Sequence, residues 1–209
     1  MSEALQVEAP LVPVEILENI IYQPDDALTD CAYYATANLC VRLGMPAPPI
    51  WRMKALWKPH DWRDGVTTPE ALAILCELNV PGLCAIGFIP HGLTARDVIP
   101  PLLEAGWQLL LGIAWVTELK QEGADLMGEP TLAGMKTWVA HSVIPYGYDE
   151  DGLDVIVGWH GMPVHKIKWS TMPSLDWKKL QNQQYGISRE FVMVMPHRKG
   201  EGNGHSPRG

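Results

Sequence analysis

Three residues of the sequence have the types and spacing for acyl transfer: Cys31, His141 and Gln23. Thr29 and Asp30 precede the cysteine, and small and apolar residues follow it, which marks a helix start. The unpaired N–H groups and dipole at a helix N-terminus favour a thiolate. Such a nucleophile needs a base, usually a histidine, whose ring is oriented by a third polar group. His141 opens the segment "HSVIPYGY", a rigid place for a base if that segment is a strand. The developing oxyanion needs aimed donors. The Cys31 N–H is one, and the side chain of Gln23, eight residues earlier in "YQPDDALTDC", offers another. Each residue also has a plainer reading. Cys31 could be a buried thiol at the start of a core helix. His141 could be a strand-end histidine bound to a backbone carbonyl, and Gln23 an ordinary loop residue before Pro24.

The elements that would position these residues can be read in order. After Asp30, Ala32, Ala35, Thr36, Leu39, Cys40 and Leu43 fall on one helical face, small at its start, suited to packing on a sheet. Gly44 stops that helix. Residues 45–66 hold three tryptophans and four prolines and read as an irregular layer. Thr67 lies three residues before Glu70, a capping-box spacing that opens a second helix over 67–80. A short segment "LCAIGFI" follows. A third helix is expected over 93–106, its regular part delayed to near Asp97 by Pro100 and Pro101. The pattern then changes to strands at 107–115, 141–148, 153–160, 164–169 and 189–196. Asp149-Glu150-Asp151-Gly152 reads as a solvated hairpin turn, without the ligand spacing of a calcium loop. Pro145 implies an edge or a bulge in the histidine strand. Helices first and antiparallel strands second make the fold class α+β.

Composition narrows the function. Hydrophobic content of 47% and charged content of 19% suit a globular domain. A net charge of -8 argues against a general nucleic-acid partner, which needs a basic face. No apolar run reaches the roughly 18 residues of a membrane span. No secretory signal is visible in "MSEALQVEAP", so a cytoplasmic or virion-associated location is expected. The four cysteines show no CxxC spacing, and Cys40, Cys76 and Cys84 are expected to be free core thiols. His160 and His165 have opposite strand parity, so no metal and no cofactor is expected. The nine tryptophans are taken first as core. Residues 1–14 read as an extended arm, 15–196 as one domain, the gap 117–137 as a loop and 197–209 as a disordered tail.

The ordered set "YQPDDALTDCAYYATANLCVRLG", "GVTTPEALAILCELNV", "LTARDVIPPLLEAGWQLLLGIAW", "AHSVIPYGYDEDGLDVIVGWHG" and "EFVMVMP" resembles the papain-like cysteine peptidases, in particular their C39-like branch, over roughly residues 17–196. The resemblance implies a helix headed by the nucleophile Cys31 packed on a twisted antiparallel sheet, with His141 as base and Gln23 as oxyanion donor. It implies a peptide or protein substrate, cleaved at a peptide or isopeptide bond. Two departures stand out. Ala32-Tyr33 replaces the Gly-Pro that usually follows the cysteine, and the place of the third catalytic Asp or Asn falls on Gly158. The resemblance therefore also allows a silent domain serving as a structural or binding component of a larger assembly, such as a phage particle.

Overall fold

A computed structural model describes residues 18–24, 30–56, 66–118, 123–124, 130–131, 136–159, 161–172 and 185–196. The arm at 1–14, the tail at 197–209 and His160 lie outside the described residues. Three helices come first: α1 (Cys31–Arg42), α2 (Ile50–Leu56) and α3 (Thr68–Glu77). Strand β1 (Gly82–Phe88) and helix α4 (Ala95–Glu104) follow. The remaining strands are β2 (Gln108–Glu118), β3 (Gly123–Ala124), β4 (Pro130–Thr131), β5 (Lys136–Tyr148), β6 (Gly152–Trp159), β7 (Met162–Lys168) and β8 (Tyr185–Pro196). Six of them form one antiparallel sheet in the order β1-β8-β2-β5-β6-β7, and β3 pairs with β4. The class is α+β.

The sheet is covered on both faces, and alternation along each strand assigns residues to them. On one face, Ala35, Leu39 and Cys40 of α1 and Ala71 and Leu75 of α3 pack on Leu110, Ile144, Ile156, Val192 and Val194. On the other, Ala95 and Ile99 of α4 pack on Leu109, Leu111, Val143, Val155, Val157 and Phe191. Strand β6 is therefore buried from Gly152 to Gly158, with Leu153, Val155 and Val157 in one core cluster and Ile156 in the other. A third cluster of Tyr33, Ala37, Met53 and Ile74 joins α1, α2 and α3, so α1 is buried beyond the stripe expected of it.

Local signals act as expected at several points. Thr67 and Glu70 close a capping box on α3, with the Thr67 N–H donating to Glu70 at 2.6 Å. Gly44 ends α1 with a left-handed φ of 76°. Pro145 sits beside a register shift in the β5–β6 ladder. The acidic turn is a hairpin whose Asp149 side chain accepts the N–H groups of Asp151 and Gly152 at 2.9 and 3.0 Å.

Other expectations are corrected. Part of the supposed irregular layer 45–66 is helix α2. The segment "LCAIGFI" becomes edge strand β1, because Leu83 to Phe88 continue the ladder of β8. Strands β2 and β5 extend into the gap expected to be a loop. Helix α4 starts at Ala95 with both prolines inside it, set by a second capping box of Thr94 and Asp97. The two helical bonds that the prolines forgo would end on Arg96 and Asp97, which are exposed to water.

Candidate functional site

Cys31 opens α1 beside the middle of β5, Gln23 is tied to the end of β6, and His141 lies within β5. Cys31 is the first residue of α1 and is partly exposed. Asp30 before it makes no side-chain cap and instead binds Lys54 of α2 at 2.5 Å. The Cys31 sulfur lies 3.9 Å from Oγ of Ser142, the residue after His141. Burial pushes the Cys31 thiol up. The main chain and hydroxyl of Ser142 and the main chain of Ala32 offset this in part, and the Asp30 charge adds to it.

His141 is buried, and its Nε2 lies 2.8 Å from the carbonyl oxygen of Val157. A carbonyl only accepts, so Nε2 carries the proton and, in the neutral ring, Nδ1 carries the lone pair. The Trp159 ring covers the imidazole, with centroids 4.5 Å apart. Burial lowers the His141 pKa, and the Val157 carbonyl raises it less. His141 stands opposite Ile113 in the β2–β5 ladder, on the face of Val143 and Val157, so the ring turns toward β6. Ser142 belongs to the opposite face, which carries α1. Among the described residues the hydrogen-bond partner of the sulfur is Ser142 and not His141.

Gln23 is buried, and its N–H donates to Gly158 O at 2.8 Å. The segment before it is tied to α1 by Asn38. The Ile21 N–H donates to Asn38 Oδ1 at 2.8 Å, and Asn38 Nδ2 donates to Ile21 O at 2.9 Å and Tyr34 O at 3.0 Å. One buried amide thus does for Ile21 what a neighbouring strand would do. Gly158 has a left-handed φ of 81°. A Cβ there would lie 3.6 Å from Ile21 O and 3.7 Å from Asn38 Nδ2, aimed at α1 and away from His141. Val157, by contrast, shares the face of His141.

Sequence reasoning missed Asn38, Ser142 and the Val157 carbonyl. Asn38 carried a signal, an amide inside an otherwise small and apolar helix. A main-chain carbonyl carries none. Of the other thiols, Cys40 is buried and pushed up to about 12 by burial and the neighbouring Cys84 thiol, whereas Cys76 is exposed on α3 and is not a core thiol. No three His, Cys, Asp or Glu side chains among the described residues could hold a metal ion together. No described helix is long and apolar enough to cross a membrane.

No family model matches the chain, and no curated protein matches it significantly in sequence. Two solved structures are similar to it. One is the peptidase domain of Streptococcus ComA, a bifunctional ABC transporter involved in a quorum-sensing pathway, at 14% identity over 85% of this chain and 97% of that one, with a TM-score of 0.45. The other is a protein of Bacillus anthracis described as a C39-like peptidase, at 11% identity over 87% of this chain and 96% of that one, with a TM-score of 0.47.

Proposed function

We propose that this chain is a thiol hydrolase that cleaves a peptide or isopeptide bond with Cys31 and His141. The observation that carries the reading is the placement of the Cys31 sulfur against Ser142, one residue from His141, although the two candidates are 110 positions apart in the sequence. With Nε2 bound to Val157, the basic nitrogen is Nδ1, the ring nitrogen nearer the main chain. At rest both groups are neutral, since burial raises the thiol and lowers the imidazole. His141 therefore acts as a general base. For this the imidazole must come within reach of the Cys31 sulfur, which at rest is bonded to Ser142 on the opposite face of the strand; it then takes the Cys31 proton as sulfur bonds to the carbonyl carbon and gives it to the leaving amine as the C–N bond breaks. The Cys31 N–H and the Gln23 side chain stabilise the oxyanion, and water releases the acyl group from the thioester.

Turnover of fluorogenic peptide and isopeptide substrates tests this. His141→Ala should cost about a hundredfold or more in kcat with the fold intact. The acidic limb of the rate profile should lie below about pH 6.5, the ordinary histidine value, because the folded pKa is lowered. Turnover that survives Cys31→Ala would refute the assignment.

A second reading is favoured by the resting contacts, in which the sulfur binds Ser142 and both groups are uncharged. The same frame would then be a silent domain that binds a peptide or protein, as part of a larger assembly. In that case Cys31 labels with electrophiles as slowly in the parent as in His141→Ala, and partner binding is indifferent to Cys31→Ala.

A further inference from the structure

Among the described strands, β1 and β7 are the outermost of the sheet, and they differ in how they are guarded. Strand β7 carries Pro163, Lys166 and Lys168. Proline and lysine keep an edge from pairing with another chain. Strand β1, "GLCAIGF", has neither a proline nor a charge, and it follows β8 from Gly82 to Phe88 without a register shift. Two large apolar side chains stand out from it, Leu83 at 62% and Phe88 at 58% exposure.

The direction of its free hydrogen-bonding groups follows from one bond. Ile89 continues the ladder and donates its N–H to Arg189 O at 2.8 Å. In an antiparallel pair, residues alternate between bonding inward and facing away. Leu83, Ala85 and Gly87 therefore bond to β8, while Cys84, Ile86 and Phe88 turn N–H and C=O outward.

We propose that β1 pairs with β1 of a second copy of this chain, antiparallel about a two-fold axis at Ala85, so that one sheet runs through the dimer. This register matches outward residues with outward residues. Cys84 faces Ile86 of the other copy, and Gly82 faces Phe88, for about eight main-chain hydrogen bonds in all. It also places each exposed large side chain opposite a glycine, Phe88 over Gly82 and Leu83 over Gly87. An aromatic ring over a cross-strand glycine covers bare backbone without a clash. The strand has no charge, so self-pairing opposes no like charges, which matters for a chain of net charge -8. A strand pair alone buries less than the roughly 1,200 Å² of a stable interface, so the dimer is weak, with a Kd in about the micromolar range.

Sedimentation equilibrium of the full chain between about 1 and 100 µM should show a monomer–dimer equilibrium. Phe88→Lys changes an exposed side chain, and Ile86→Pro removes an outward N–H that β8 does not use. Each should weaken dimerisation by about tenfold or more while leaving the unfolding temperature in place. Ala85→Cys should cross-link two copies through position 85 under mild oxidation with oxidised glutathione. A non-hydrogen-bonded pair holds its Cα atoms about 4.5 Å apart, within disulfide reach. A chain that stays monomeric throughout the range, as it would if another segment or partner covered β1, overturns the proposal. So does a dimer of unchanged affinity in both edge variants.

Discussion

Replacing Asn38 by leucine should detach the segment that carries Gln23 from α1. Leucine keeps the branched shape but makes none of the three hydrogen bonds of the amide. Tyr34 O can still accept its helical bond, so the loss falls on the N–H and C=O of Ile21. Each was bonded to a side chain that is 4% exposed, and each becomes an orphan at about 1–3 kcal/mol. The sum is about 3 kcal/mol once some relaxation toward water is allowed. With a urea m-value of about 2 kcal/mol/M, the midpoint should fall by about 1.5 M with m unchanged. Hydrogen exchange then separates local from global loss. The Ile21 and Gln23 amides should lose protection before those of β2 and β8. Asn38→Asp should fare little better, since a carboxylate accepts from the Ile21 N–H but cannot donate to Ile21 O. An unfolding free energy for Asn38→Leu within about 0.5 kcal/mol of the parent would refute this account of how the segment is held.

Three further outcomes follow from the site and the sheet. The folded pKa of His141 is lowered, so its contribution to stability is full above the unfolded value of about 6.5 and is lost as pH falls toward the folded value; urea midpoints from pH 7.5 to 5 should decline, and less so in His141→Gln, which keeps a donor for Val157. A carboxylate restored by Gly158→Asp should not raise kcat/KM, because its Cβ aims at Ile21 and Asn38, whereas Val157→Asn puts an amide on the face of His141 and should raise it by about tenfold at some cost in stability; the reverse ranking in peptide turnover would refute the facing assigned to these residues. Gly87→Ala should lower stability by about 2 kcal/mol in denaturant titration, since the added Cβ would lie 2.3 Å from the buried Phe191 ring; an unchanged midpoint would count against that packing.

The sequence by itself determined the α+β class, the span of α1, the capping box of α3, the acidic hairpin and most strands. Those features depend on periodicity and on contacts three or four residues apart, which a linear reading can see. It also marked Cys31, His141 and Gln23 by type and position. It misread α2 and the start of α4 and left β1 unassigned, where packing against α3, a local Thr94–Asp97 cap and pairing with β8 decided what the breakers and the short apolar run did not. Only the tertiary structure decided what surrounds the candidates. Ser142 reaches the Cys31 sulfur across 111 residues, and the partner of His141 is a main-chain carbonyl, which every residue has and no motif records. The gap read at Gly158 likewise changed meaning. A left-handed glycine there aims away from the imidazole, and Val157 is the residue that faces it, because strand parity is set by the register of the sheet and cannot be counted from the chain alone.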